Sequence, residues 1–422
     1  MAAQFFFKST NRGDSWTMNT TDLTKNLPRW DKSREIMGVS TDKPMVAKHD
    51  GYASSSLATQ VRESPSKPGI IWIGTDDGNL QVSQDDGQTF TNVYANITGA
   101  PQGYVQIERI EPSHFDPGTA YVALNNHRND DFTPYLFKTT DYGKTWTNVS
   151  ANLPSPGSIN ALREDLENPN LLFIGTEFSM FVTVDGCKSF QKFMNGMPSV
   201  RVDDILIHPR ERDLIVGTHG RSIWIMDDIS PLEHLQEAEK TDLFLFTPRA
   251  AVLWKNDIQA QRHVDNRDFV GENPQGGTAI HVYAKSDLGK AKVEFLQGTK
   301  VVSTMDIDIK TGLNSYQWNM RGPAPAAGAG GRRGGGPGGF TPREMVPMDP
   351  NAPPPTPAQL AEQAALVPFT AGGGGFGGGG FGRRAPQGPL LDPGTYMIRL
   401  TVAGKTLTSS VDVLEDQWLT QQ

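Results

Sequence analysis

The chain has 422 residues, with 39 Lys+Arg against 47 Asp+Glu and a formal net charge of −8. At about 100–200 residues per domain this length allows two or three domains, and the acidic balance excludes a dedicated nucleic-acid binder, which neutralises phosphates with Lys and Arg. The single cysteine, Cys187, excludes an intrachain disulfide and a cysteine zinc site, and no run of roughly 18 apolar residues is present to form a membrane-spanning helix.

In chain order, the first predicted element is half a unit. Residues 5–10 read as a strand, a turn pattern follows, and residues 15–18 return as a second strand. The pattern is an octet, Ser/Thr-x-Asp/Asn-x-Gly-x-Ser/Thr-aromatic, here with Asn11, Gly13 and Trp16 at its defining positions. It recurs at residues 83–90 with Asp85, Gly87 and Phe90, and at residues 139–146 with Asp141, Gly143 and Trp146. A fourth copy at residues 183–190 keeps Asp185 and Phe190 but has Cys187 where the glycine belongs. Repetition of so constrained a pattern indicates a repeat architecture. The octet has the chemistry of a tight hairpin: the Asp or Asn side chain accepts backbone N–H groups further round the turn, and Gly supplies a positive φ. A side chain at Cys187 predicts a local distortion of about 1 kcal/mol, unless Gly186 takes over by a one-residue shift.

The surroundings of the octets repeat as well. Apolar runs ending in Gly-Thr lie at residues 70–75, 171–176 and 214–218, and residues 120–124 hold the same place in another unit. Each follows a proline-containing turn, and before the turns lie further alternating runs such as residues 105–110 and 202–207. Every unit therefore reads strand, proline turn, strand, short loop, strand, Asp hairpin, strand. Short, evenly spaced strands with an aromatic in each unit predict propeller blades, at about residues 58–94, 104–150, 158–195 and 201–249. In the last, residues 223–226 are the third strand, the octet has decayed to Asp227-Asp228, and residues 244–246 are assigned to the fourth. Four and a half blades leave strand edges open, so a longer propeller of which this is the carboxyl-terminal part is expected, with a small ring closed by a composite blade as the alternative.

A linker is expected at 250–275 and a second β-domain at 276–416. Alternating runs at 278–285, 290–296, 300–309 and 314–318, and a final hairpin at 394–413, suit a small immunoglobulin-like sandwich. Much of the 44 Gly and 30 Pro lies between Gly322 and Gly388. That stretch is too poor in apolar residues to offset its ordering entropy, and is expected to be a disordered insertion within the sandwich. The fold class expected is all-β: a partial propeller followed by the sandwich.

The octet resembles the Asp-box, or BNR repeat, of sialidase- and sortilin-type propellers. Residues 134–146 and 217–228 are similar to a group of bacterial sortilin-like propeller proteins often labelled glycosyl hydrolases, and residues 312–318 with 391–396 look like that group's terminal sandwich. The resemblance implies an exported protein, periplasmic or extracellular. Residues 1–7 lack the basic region, apolar core and cleavage site of a secretory leader, so the expected location rests on the resemblance alone.

Alternate loops of an antiparallel blade lie at opposite ends. The octets share one end with the proline turns, so their Asp residues are read as structural. A site is expected at the other end, where Asp76, Asp77, Asp130, Asp131 and Glu177 are the candidate catalytic carboxylates. Glycoside hydrolysis needs two such groups, while short turns also favour Asp for backbone reasons alone. His127, Arg128, His219 and Arg221 are the candidate binding residues, suited to an anionic group. No spacing suggests a metal site, and no phosphate loop, dinucleotide fingerprint or nucleophile elbow is present, so no cofactor is expected. The leading functional reading is a recognition module for a peptide, protein or glycan. The alternatives are an Asp-box glycoside hydrolase and a structural cell-surface spacer.

Overall fold

The computed structural model describes residues 4–26, 35–36, 39–40, 42–44, 56–194, 196–254, 276–324 and 388–416. The chain divides into two compact units, Met1–Lys240 and Thr241–Gln422. The architecture is all-β, built from several small antiparallel sheets. In the first unit a two-stranded hairpin joins β1 (Phe7–Lys8) to β2 (Thr17–Met18), and a second joins β3 (Glu35–Ile36) to β4 (Val39–Ser40). Three four-stranded meanders follow: β5 (Ala58–Glu63), β6 (Ile71–Thr75), β7 (Leu80–Ser83), β8 (Thr91–Asn92); β9 (Gln106–Pro112), β10 (Ala120–Asn126), β11 (Asp131–Thr139), β12 (Thr147–Asn148); and β13 (Ile159–Glu164), β14 (Leu172–Thr176), β15 (Met180–Thr183), β16 (Gln191–Lys192). A three-stranded sheet, β17 (Val202–Ile207), β18 (Leu214–Thr218) and β19 (Ile223–Met226), and two short helices, α1 (Ser230–Glu233) and α2 (Leu235–Ala238), complete the unit.

The sheets stack face to face, with the first strands β5, β9, β13 and β17 in contact in that order. Alternate residues of one strand enter different cores. Trp72 packs with Ile107 and Val122 of the next sheet, while its neighbours Ile71 and Ile73 pack with Phe6 and Leu23 on the other side. Tyr121 and Ala123 likewise join Leu172 and Ile174, and Phe173 joins Val202 and Val216. Strands buried on both faces read as continuous apolar runs rather than alternating ones, as the sequence shows here. The Gly-Thr endings mark the closest crossings: a Cβ at Gly74 would lie 2.5 Å from Ile107 Cγ2, and one at Gly175 2.5 Å from Val202 Cγ1. At Gly217, in the last sheet, the nearest such contact is 3.7 Å.

The octets close on themselves in all four copies. In the third, Thr139 Oγ1 accepts Gly143 N–H at 3.0 Å, Asp141 Oδ1 accepts Thr145 N–H at 2.9 Å, and Asp141 Oδ2 accepts Thr145 Oγ1 at 2.7 Å. Cys187 itself takes the positive φ, +70°, and its N–H still reaches Thr183 Oγ1 at 3.1 Å, so no shift to Gly186 occurs. Every copy holds two consecutive positive-φ residues, Arg12-Gly13, Asp86-Gly87, Tyr142-Gly143 and Gly186-Cys187. The glycine has exchanged places with its neighbour, so each copy carries one side chain in the left-handed region and the fourth is no more strained by this count than the rest. The Cys187 thiol fills a buried cluster beside Val149, and burial pushes it up to about 12.

The second unit packs two sheets about one core. One holds β20 (Leu243–Leu245), β22 (Thr278–Ala284) and β25 (Gly312–Trp318); the other holds β21 (Ala251–Leu253), β23 (Gly289–Gln297), β24 (Lys300–Ile309), β26 (Gly394–Val402) and β27 (Lys405–Glu415). Val282 and Ile280 from the first meet Val293, Phe295, Ile398 and Leu400 from the second, and the rings of Phe295 and Trp318 stack at 4.0 Å. This corrects two sequence assignments. Residues 244–246 do not supply the fourth strand of the last blade, because Leu243–Leu245 pairs with β22; Ala251–Leu253, placed in the linker, pairs with β27. The apolar face of each short segment is buried in the sandwich core instead. Among the described residues β19 pairs with β18 alone, leaving Ile223 and Ile225 65% and 62% exposed. The expected disordered insertion lies largely outside the described residues. Its two flanks are tied together, with Gly322 N–H donating to Pro389 O and Leu391 N–H to Met320 O, both at 2.9 Å.

Neighbouring sheets are also joined by a buried carboxyl. Glu164, at the end of β13, accepts Ser113 Oγ at 3.0 Å and His114 N–H at 2.7 Å from the turn after β9. Burial lifts it from 4.5 to about 7, against those two hydrogen bonds. An acid raised in the folded state binds its proton more tightly there, so its contribution is complete below about pH 4.5 and declines as pH rises through about 7. Glu164→Gln, which keeps a neutral group in place, is expected to lose on the order of 1–3 kcal/mol less stability than the wild type between about pH 5 and about pH 8. Urea midpoints across that range check this, and parallel pH slopes would contradict it. Gly175→Ala is expected to destabilise by about 1–3 kcal/mol through overpacking against Val202, whereas Gly217→Ala should fall within about 0.5 kcal/mol of the wild type. Equal effects at the two positions would show that the sheets do not approach as described.

Candidate functional site

In an antiparallel meander the loop after the second strand and the connection to the next sheet fall at the same end. In the first unit this end gathers a connected polar cluster. Asp76, 5% exposed, lies in the loop after β6; its Oδ1 accepts Leu57 N–H at 2.8 Å and its Oδ2 accepts Tyr104 OH at 3.2 Å. Arg128 approaches the same carboxylate at 3.9 Å. In the next sheet Glu108 Oε2 accepts Gln106 Nε2 at 2.8 Å and Asn125 Nδ2 at 3.3 Å. Asn125 Oδ1 in turn lies 2.6 Å from His127 Nδ1. An amide oxygen only accepts, so Nδ1 carries the proton and Nε2 of the neutral ring keeps its lone pair. Burial holds His127 below the usual imidazole range, with Arg128 adding to the effect.

From the third and fourth sheets come Glu177, Arg201, Asp203 and His219. Arg201 pairs with Glu177 at 3.5 Å and, through Nε, with Asp203 at 2.6 Å; His219 Nδ1 lies 3.1 Å from Asp203 Oδ2. His219 is held here by its backbone too, its N–H donating to Arg201 O at 2.9 Å. Burial raises the Glu108 carboxyl above the ordinary range, opposed by Arg201, by its hydrogen bond from Asn125 and by Arg128, and reinforced by Glu177. Glu108 and Glu177 therefore share one electrostatic environment with Arg201. Phe132 and Phe178, 41% and 53% exposed, present apolar faces from the start of β11 and from the loop that carries Glu177.

Of the residues singled out from sequence, Asp76, His127, Arg128, Glu177 and His219 belong to this connected set. Asp77 does not: it is fully buried, with its oxygens taken by Thr75 Oγ1 at 2.6 Å and Lys25 N–H at 2.8 Å. Asp131 is spent on Asn126 Nδ2 and Tyr135 OH, both at 2.8 Å. Asp130 is an exposed turn residue at φ +58°, and the carbonyl of Arg221 accepts the Trp224 indole N–H at 2.9 Å without an ion pair joining its guanidinium to the cluster among the described residues. Glu108, Tyr104, Arg201 and Asp203 were missed. The signal for Glu108 was a carboxylate on an alternating first strand that also carries Gln106, Arg109 and Glu111; Arg201 lies in a connection whose residues gave no pattern. Among the described residues no group of three or more His, Cys, Asp or Glu is placed to hold a metal ion, and no helix is long and apolar enough to cross a membrane.

No family model and no curated protein matches the chain. Among solved structures it is similar to the GH74 xyloglucanase from Xanthomonas campestris, with a TM-score of 0.40 and 18% identity over 53% of this chain and 33% of that one. It is also similar to a GH74 enzyme from Niastella koreensis, with a TM-score of 0.36 and 20% identity over 53% and 33% of the two chains. Against YCF48 from Cyanidioschyzon merolae the TM-score is 0.29, at 16% identity over 40% and 54%. The matched part spans about a third of the length of the two GH74 structures, and all of these likenesses are distant.

Proposed function

We propose that the first unit is part of an Asp-box β-propeller whose loop-bearing end binds and cleaves a glycan, followed by an immunoglobulin-like sandwich. The observation that carries this reading is the pair Glu108 and Glu177 around Arg201. Hydrolysis of a glycosidic bond needs one carboxyl that can hold a proton near neutrality and a second that stays charged. Glu108, raised by burial, suits the proton donor. Glu177, 3.5 Å from Arg201, is the second carboxyl of the pair. His127 Nε2 and the exposed rings of Phe132 and Phe178 offer a hydrogen-bond acceptor and stacking faces for a polyhydroxyl ligand.

Charge balance weighs against the reading of this end as a receptor for an anionic peptide terminus. Arg128 and Arg201 already have carboxylate partners in Asp76, Glu177 and Asp203. An incoming carboxylate would have to displace one of them, whereas sugar hydroxyls can add hydrogen bonds without changing charge. An exported location belongs to the same proposal. The test is release of reducing ends from a panel of soluble polysaccharides and aryl glycosides by the full chain. Glu108→Gln and Glu177→Gln are each expected to lower kcat by about 10²–10⁴ with a smaller change in KM. Saturable glycan or peptide binding without turnover would return the recognition-module reading in place of hydrolysis.

A further inference from the structure

Deeper along the innermost strands, three successive sheets bring three arginines together: Arg62 on β5, Arg109 on β9 and Arg163 on β13. Arg62, Glu111 and Arg163 hold equivalent positions, each opposite a large aromatic residue of its own second strand, Trp72, Tyr121 and Phe173. Arg163 Nη1 donates to both oxygens of Glu111, at 3.0 and 3.2 Å, and its Nε donates to Ile205 O at 3.0 Å. Arg109 Nη2 meets Asp204 of β17. The neighbouring Glu164 carboxyl has its oxygens engaged by Ser113 and His114. Three guanidinium groups thus face three carboxylates, Glu111 and Asp204 as ion-pair partners and Glu108, which also acts on Arg109.

The charges balance, but the hydrogen bonds do not. Nε of Arg62 and Nε of Arg109 are buried and have no partner among the described residues, and Arg109 as a whole is only 8% exposed. Burial pulls the Arg109 guanidinium down to about 10, with Arg62 and Arg163 adding to the shift. A buried guanidinium with an unmade N–H is a costly arrangement that a bound oxygen ligand relieves. Its planar fork matches two oxygens of a carboxylate or phosphate. Asp204, with its side chain 63% exposed, marks the side on which the layer opens to solvent.

We propose that Arg62, Arg109 and Arg163 form a binding site for a small oxyanion, a carboxylate or phosphate group, held along the innermost strands of the first unit. Glu108 also acts on Arg109, so the test reads binding without turnover. The full chain is titrated calorimetrically with inorganic phosphate and, separately, with glucuronate, each against chloride at matched ionic strength. One-site saturable uptake of either anion is expected, phosphate pointing to a phosphorylated ligand and glucuronate to a carboxylate one. Arg62→Gln and Arg109→Gln should each weaken that uptake at least about tenfold, while Arg210→Gln, at a guanidinium 74% exposed and paired with Glu211, should bind as the wild type does. Circular dichroism confirms that each variant is folded; should Arg109→Gln fail to fold, the half-buried Arg62 carries the comparison. Absence of saturable uptake beyond chloride, or unchanged affinity in Arg62→Gln, would overturn the proposal.

Discussion

The first unit depends on one packing constraint: small sheets with two apolar faces must each be covered on both sides. A four-stranded sheet of this size cannot leave either face in water, so each sheet is stable only between neighbours. That requirement fixes where large and small residues go. Trp72, Tyr121 and Phe173 fill the space between sheets, while Gly74 and Gly175 vacate it where the next first strand crosses closest. The octets perform the complementary task at the rim. Their side-chain oxygens satisfy the backbone of the turn locally, while side chains such as Cys187 and Phe190 of the fourth copy pack into the core.

The same stacking concentrates charge. Charged residues on first strands brought side by side meet partners on other sheets. Arg163 with Glu111, Glu164 with the turn after β9, and Arg109 with Asp204 are all pairings across sheets. At the loop-bearing end the cluster of Glu108, Glu177 and Arg201 follows the same rule with more exposure to solvent. Polar chemistry is therefore directed to the inner edges and the loop end, whereas the octet carboxylates, although more conspicuous in the sequence, are committed to their own turns.

How much of this was legible from the residues differs from element to element. The octets were legible because their hydrogen bonds join residues two to four positions apart, and the swap of Gly186 and Cys187 changes which residue bears the strain without changing the turn. The strands of the sandwich were legible from alternation, since one face of each is buried. Asp76, His127 and Glu177 were legible as loop residues at the expected end. Whether their side chains were available was not: Asp77 and Asp131 have the same composition and setting, yet are consumed by neighbouring hydroxyls and amides.

The amino-acid sequence by itself determined the repeat, the register of the turns and the positions of the strands, because each arises from contacts within one hairpin or from the period of burial along one strand. Tertiary structure decided the rest. Leu243–Leu245 is apolar enough for either unit and was committed by pairing with β22, some forty residues further on. Glu108, Glu177 and Arg201 come from different sheets or their connections, and the three inner arginines from three successive sheets. Nothing in the spacing of such residues records that they meet, because their proximity is set by the stacking of whole sheets and not by any local preference of the chain.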